Sequence, residues 1–586
     1  MQKDDTIIDN IRKLHNNDES QIKIVESQSD KTMVEASAGC GKTKVLISTI
    51  AYNIAKERIQ STKKILALTF SVNAAYKIKK DVIEQLPLIL GEDNIENKTI
   101  SKNILVSNYH GLCRRILSLY GKRAFNMYLD LKDYNVVSDD KIPNSILLSD
   151  QEKYIIKNVN DSIINADIDQ FTSLLSQYND IIINKILVEK YITYNSIISL
   201  VLEIFFKFPN LKQQYRNLFE FIIVDEYQDT NILGYLLLKE IIHPKTRLLF
   251  FGDSLQRIYG FIGAIPNIMQ KTIEEFQMKK IELSINYRFK DNIELLQLDK
   301  NIRFNAHNPD LIEKNSNPNI VCAHDYESEY SWIIDKINNN ISNDISTTIL
   351  VKSLSSNYNT SYLLSKLKSS DIKFFYALFT DDSDEYVKFH TYAYETFINM
   401  IKDKRVVTKK IIEKFYLKII NKYDNNLNEI YNSLIILLRK FLDSIYEIYQ
   451  IYKMDDLINY IIDIFANNGL KQYMNRIDEK VIVATIHSYK GLEAECVIVT
   501  DLESNNFPNY YTCKYCTNSN TCLLFGGNKK NYLEELSVFY VAITRARKEL
   551  YLTYSKNQLT KFGVKDCNKS CMLNLKGIGY LNQIDI

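Results

Sequence analysis

What most constrains the fold of this chain is a set of short runs with continuous apolar centres: ILALTF (65–70), FIIVDE (221–226), RLLFFGD (247–253), TTILV (347–351) and VIVAT (481–485). They are rich in β-branched residues, do not alternate with polar positions, and are separated by helical patterns. Such strands need cover on both faces, which is the mark of parallel strands inside layered α/β domains. Open sheets of that class place ligand residues at the carboxyl ends of their strands, and the chemically active residues of this chain stand there. Between about 121 and 190, and again between about 377 and 476, long helical segments with scattered charges replace the strand signals and read as two mainly helical insertions.

At 586 residues the chain exceeds what one core needs, so several domains are expected. A net charge of +2 leaves no polycationic body, so any nucleic acid must be met by a local basic groove. The N-terminus MQKDDTIIDNIRKL lacks the apolar core of a signal peptide, and no run approaches the ~18 apolar residues of a membrane span, so a cytoplasmic protein with no membrane partner is expected. In that setting nine cysteines argue against a disulfide scaffold and leave metal binding, redox chemistry or plain burial as readings, with most of them expected to be buried thiols.

A nucleotide site is written in two places. After the predicted strand TMVEA (32–36) comes Ala36-Ser37-Ala38-Gly39-Cys40-Gly41-Lys42-Thr43, a phosphate-binding loop in which the usual first Gly is Ala. Small residues let successive backbone N–H groups turn toward a phosphate at a helix N-terminus, while Lys42 supplies charge and Thr43 an oxygen for Mg²⁺. In FIIVDEYQDTN (221–231) a buried strand delivers Asp225, suited to hold Mg²⁺, and Glu226, suited to orient or deprotonate the attacking water. Phosphoryl transfer also needs positive charge on the phosphates, and Arg288 in ELSINYRF (282–289) and Arg545 in YVAITRAR (540–547) are the candidates.

With these motifs in order, the chain resembles the UvrD/Rep branch of the superfamily 1 helicases, over about two thirds of its length. Gln21 matches the glutamine that reads the adenine edge, and Tyr287 an adenine-stacking tyrosine. LALTFSVNAA (66–75) and SNYHGLCRRIL (107–117) look like DNA-contacting motifs Ia and Ib, GDSLQRIYGFIGA (252–264) like motif III, and ATIHSYKGLEAECVIV (484–499) like motif V. The resemblance implies an α/β fold of two RecA-like parallel-sheet motor domains, each with a mainly helical insertion. The first would comprise 1–120 and 191–280 with insertion 1B at 121–190. The second would comprise 281–376 and 477–586, with a short insertion 2B at 377–476. It implies an ATP site with Lys42, Thr43, Asp225, Glu226 and the γ-phosphate sensor Gln256 on the first domain, and Arg288, Glu493 and Arg545 on the second. ATP would close the cleft and hydrolysis reopen it. Phe70, Tyr109, Tyr259 and Phe261 are then the base-stacking candidates, with His110, His487 and Lys490 as polar DNA contacts. The departures are Phe261 for the usual Trp, Ile262 for Arg and Asn73 for Lys, which should weaken DNA contacts.

Between motifs V and VI lies Cys513-x2-Cys516-x5-Cys522, and Cys567 or Cys571 could complete a four-ligand set. A zinc site, an iron–sulfur cluster and an exposed loop of reduced thiols all remain open readings. Two functions follow from the resemblance. One is an ATP- and Mg²⁺-dependent translocase or helicase on single-stranded DNA and duplex junctions, with 3′-to-5′ polarity, acting in repair, recombination or defence. The other is a DNA-stimulated regulatory ATPase controlling a separate nuclease, as in anti-phage defence.

Overall fold

Strands buried on both faces must split their side chains between two cores, and in this chain they do. The structure is a computed structural model describing all residues except 1, 28, 57, 71, 91–102, 131–133, 353–357, 381–382, 403–405, 424–427, 449–453, 467 and 510–528. The chain divides into two compact units, Met1–Tyr287 and Arg288–Ile586.

Unit one carries β1 (Lys31–Ala36), β2 (Lys64–Thr69), β3 (Ile104–Asn108), β4 (Asn135–Val137), β5 (Tyr191–Thr193), β6 (Phe219–Val224), β7 (Arg247–Gly252) and β8 (Lys279–Leu283). Six of them form a parallel sheet in the order β3-β2-β6-β7-β1-β8, and β4 and β5 pair separately. Leu66, Leu68, Ile222, Val224, Leu248 and Phe250 face one core, while their neighbours Ile65, Ala67, Phe221, Ile223, Leu249 and Phe251 face the other. That two-residue alternation of direction without alternation of polarity is the pleat of a strand covered on both sides. One core receives the phosphate-loop helix Lys42–Ala55. The other is continuous with the helices Asp150–Asn165 and Ile168–Ile181 through Val159, Phe171 and Tyr178, so the first insertion grows out of the sheet's own core.

Unit two carries β9 (Asn319–Ala323), β10 (Thr347–Val351), β11 (Phe375–Ala377), β12 (Val481–Thr485), β13 (Ala494–Val499), β14 (Ala546–Ser555), β15 (Asn557–Thr560), β16 (Gly563–Asp566) and β17 (Gln583–Asp585). Seven form a parallel sheet in the order β11-β12-β10-β13-β14-β9-β17, while β15 and β16 make an antiparallel hairpin. The second insertion holds the helices Asp384–Ile401, Lys409–Tyr423, Glu429–Ile448 and Met454–Ala466. Phe415 and Phe441 both pack on Phe465, at ring separations of 5.4 and 5.5 Å, so aromatic edges rather than a sheet knit this bundle. Both motor-type sheets and both helical insertions therefore match the α/β reading of the sequence. The unit boundary falls after Tyr287, so β8 and Tyr287 belong to the first unit, some residues beyond the expected change at 280. Among the described residues no helix is long and apolar enough to cross a membrane.

Candidate functional site

The phosphate loop follows β1 at the carboxyl edge of the first sheet. Gly39 and Gly41 both adopt φ of +81°, a backbone region that an L side chain enters only at a cost, and this turns the loop into helix Lys42–Ala55. No side chain caps that helix, so its first N–H groups remain available to an anion. Lys42 Nζ donates to the Ala36 carbonyl at 3.0 Å, which holds the ammonium over the loop. Thr43, the next residue, is half-buried, while Ala36, Ala38 and Cys40 are buried and Ser37 Oγ meets Cys40 Sγ at 2.8 Å.

The loop's back is held by three residues distant in sequence. Gln21 Nε2 donates to the Cys40 carbonyl at 2.9 Å, and a Cβ on Gly41 would lie 2.8 Å from that same nitrogen, so the glycine is required by close approach as well as by φ. Tyr287 N–H donates to the Gly39 carbonyl at 3.0 Å, and its hydroxyl donates to Asp18 at 2.6 Å. Asp18 in turn caps the helix Glu19–Val25 that carries Gln21. The two residues expected at the adenine end thus share one cap.

At the end of β6, Asp225 N–H donates to the Leu68 carbonyl at 2.8 Å and Asp225 accepts from the Glu226 N–H at 3.0 Å. Burial first, then the adjacent Glu226, push the Asp225 carboxyl up to about 6, with Lys42 pulling the other way. A buried carboxylate beside a second carboxylate is an oxygen donor pair that a hard cation such as Mg²⁺ fits, and a cation would relieve the repulsion. Glu226 itself has φ of +52°. Its carboxylate accepts from Gln228 Nε2, Gln228 Oε1 accepts from the Asp253 N–H at 3.1 Å, and Asp253 accepts from Gln256 Nε2 at 2.8 Å. A polar relay thus runs from the carboxylate to Gln256, all within unit one. Gln228 and Asp253 were absent from the sequence-derived set. Their only signal was two polar residues placed where strand ends make burial expected. Gly252 belongs to the same relay, since a Cβ there would lie 2.6 Å from Met269 Sδ and 3.0 Å from Gln228 Oε1.

Three residues beyond Gln256 the chain reaches an aromatic ladder. Phe70 stacks on Tyr259 at 5.2 Å with planes 25° apart, and Tyr259 meets Phe261 at 6.3 Å. Phe261 is 61% exposed. Gly263, at φ of +89°, sits so close to the Ile163 carbonyl that a Cβ would approach it to 2.3 Å, which seats the ladder on the first insertion. Tyr109 does not join them. It is 4% exposed, lies against Gly234, and its hydroxyl meets Thr230 Oγ1 at 3.3 Å. Asn108 caps the following helix and position 109 turns into the apolar side, so this ring offers no stacking face, contrary to expectation. His110 packs edge-on to Tyr194 at 6.2 Å, and burial, then Arg114, push its imidazole down to about 4, leaving it neutral. The side chain of Asn73 lies outside the described residues.

In unit two, Arg288 donates to the Glu493 carboxylate and to the Thr544 carbonyl. Arg545 is 2% exposed and donates to the Val541 carbonyl at 2.9 Å, the Leu492 carbonyl at 3.3 Å and Thr544 Oγ1 at 2.9 Å. Arg547, unnoticed in the sequence, lies 3.7 Å from the other Glu493 oxygen. His487 and Lys490 are half-buried in the turn after β12. The structure therefore gathers Arg288, Glu493 and Arg545 into one cluster. Beyond them, the β15–β16 hairpin presents Phe562, 93% exposed, between Lys561 and Lys565, outside every sequence motif. Cys513, Cys516 and Cys522 lie outside the described residues. Cys567 donates its thiol to the Ser555 carbonyl at 3.2 Å and burial pushes it up to about 12, while Cys571 opens the short turn Cys571–Asn574. Among the described residues no group of three or more His, Cys, Asp or Glu is arranged to hold a metal ion.

A phosphate loop, an acidic strand end and the buried Gln256 amide at the edge of one parallel sheet define a P-loop nucleoside triphosphatase. A family model described as the UvrD/REP helicase N-terminal domain matches residues 17–277, and one described as the UvrD-like helicase C-terminal domain matches 381–557. A probable DNA helicase II homolog of Mycoplasma capricolum is 24% identical over 94% of this chain and 85% of its own length. Another, from Mycoplasma genitalium, is 22% identical over 97% and 89% respectively. The ATP-dependent DNA helicase PcrA of Bacillus subtilis is 29% identical, over 46% of this chain and 37% of that protein. The chain belongs to the UvrD/Rep-like helicase family.

Proposed function

We propose that the protein is an ATP-dependent DNA helicase that hydrolyses ATP as it moves along single-stranded DNA in the 3′-to-5′ direction. The observation that carries this reading is the relay Glu226–Gln228–Asp253–Gln256. It leads from the carboxylate suited to activate water to the loop bearing the Phe70–Tyr259 stack, so a change at the phosphates has a rigid route to the aromatic faces. Lys42 and the open helix N-terminus bind and orient the phosphates. Thr43 and Asp225 are the residues that would hold Mg²⁺, which when bound supplies positive charge to the phosphate oxygens. Gln21 and Tyr287 take the adenine. Arg288 and Arg545 supply guanidinium charge, and Glu493 holds Arg288 until it is needed. Phe261, Phe562, His487 and Lys490 are the groups offered to DNA, with Phe562 on its basic hairpin suited to stack on a base.

The test is ATP hydrolysis with and without single-stranded DNA, beside Lys42→Ala and Glu226→Gln, followed by displacement of a strand from duplexes with 3′ or 5′ tails. Stimulation by DNA that both substitutions abolish, with displacement confined to the 3′-tailed substrate, is expected. Hydrolysis indifferent to DNA would overturn the reading.

A further inference from the structure

His15 lies in the turn between the first two helices, outside every motif, and is 1% exposed. Its Nδ1 meets Gln21 Oε1 and its Nε2 meets Ser48 Oγ, on the phosphate-loop helix, at 2.8 Å. The amide oxygen of Gln21 can only accept, so Nδ1 carries the proton and Nε2 accepts from the serine hydroxyl. Burial and Lys44 favour the neutral ring that this tautomer requires. On its other side Gln21 donates to the Cys40 carbonyl. Each internal bond uses one of the two hydrogens or one of the two lone pairs of the carboxamide, leaving one N–H and one oxygen lone pair. A donor beside an acceptor complements the adenine edge, N7 with the N6 amino group, and mismatches guanine, which presents N7 with O6.

We propose that His15 is the positioning residue that fixes the Gln21 carboxamide in the orientation that selects adenine over guanine. The inference rests on the reading of Gln21 as the adenine contact. Two bonds hold this orientation, one from His15 and one to the Cys40 carbonyl, and losing the share of His15, one N–H bond of typical net strength, should shift base preference by about tenfold.

Two substitutions divide the ring's contacts. His15→Asn places an amide N–H near the position of Nδ1 and keeps the bond to Gln21 while losing Ser48. His15→Gln reaches toward Ser48 and loses Gln21. The measurement is KM and kcat for ATP and for GTP in DNA-stimulated hydrolysis, with direct binding of fluorescent ATP and GTP analogues and a thermal melt for each variant. The expected result is that His15→Gln raises KM for ATP about tenfold, with a smaller effect on kcat, and narrows the ATP-to-GTP preference about tenfold. His15→Asn keeps the preference. Gln21→Ala narrows it as much, and adding His15→Gln to Gln21→Ala changes nothing further. Preference unchanged in His15→Gln while Gln21→Ala narrows it would overturn the proposal, as would equal losses in both His15 variants, which mark a packing role. Preference unchanged in Gln21→Ala would overturn it together with the adenine reading beneath it, leaving the Lys42 and Glu226 results to stand alone.

Discussion

The two units handle buried polar groups in different ways. In unit one, side chains satisfy one another: His15 holds Gln21, Tyr287 holds Asp18, and Glu226, Gln228, Asp253 and Gln256 form a single relay. In unit two, the arginines also lean on backbone carbonyls, Arg545 on those of Val541 and Leu492 and Arg288 on that of Thr544 beside the Glu493 carboxylate. A side-chain relay transmits a change at one member to the next, whereas a guanidinium anchored on main chain is a fixed charge whose place the fold sets. On the function proposed above, the first arrangement suits sensing and the second suits supplying charge.

Three substitutions would break or sharpen that contrast. The largest effect belongs to Arg545→Ala, expected to lower kcat by about 10²- to 10³-fold. It should also destabilise the protein by about 2 kcal/mol, because buried carbonyls lose their donors. Urea unfolding beside hydrolysis separates the two losses, and Arg545→Lys should recover neither, since one ammonium cannot reproduce the forked contacts. A stable Arg545→Ala protein would show that the guanidinium is not structural.

Asp225→Asn comes next and runs the other way. Hydrolysis is lost, but the nucleotide-free protein should gain on the order of 2 kcal/mol above about pH 6, because a buried charge beside Glu226 disappears. The Asp225 carboxyl is raised in the folded state, so wild type carries this penalty above about pH 6 and sheds it as pH falls toward the ordinary carboxyl value. The two proteins should therefore converge in acid, which melting curves from about pH 8 to about pH 4 check. The smallest effect is Gln228→Ala, which cuts the relay between intact ends. DNA-stimulated kcat should fall about tenfold with KM for ATP little changed, as one buried hydrogen-bonded link is worth. An unaltered kcat would mean that the relay is structural only.

Residue spacing alone made the nucleotide site legible. Ala36 to Thr43 and Asp225-Glu226 are each contiguous, and the backbone that precedes them is a strand whose apolar run admits no other burial. The parallel sheets were legible for the same reason. Tyr109 was misread because residue type fits both a stacking platform and a core filler, and only the approach of Gly234 and Thr230 from another element decides between them. Phe562 stands in no sequence motif, and only the pairing of β15 with β16 lifts its ring into solvent.

The sequence by itself determined the class of chemistry, since a phosphate cradle and its carboxylates depend on local backbone geometry carried by a few adjacent residues. Tertiary structure alone decided which groups orient the reacting ones. His15 meets Gln21 across a turn, Gln21 meets Cys40 from another helix, and Gln228 meets Asp253 across neighbouring strand ends. A hydrogen bond reaches only about 3 Å. Such partners exist only once packing has brought distant segments within that distance, and no local pattern in the chain records it.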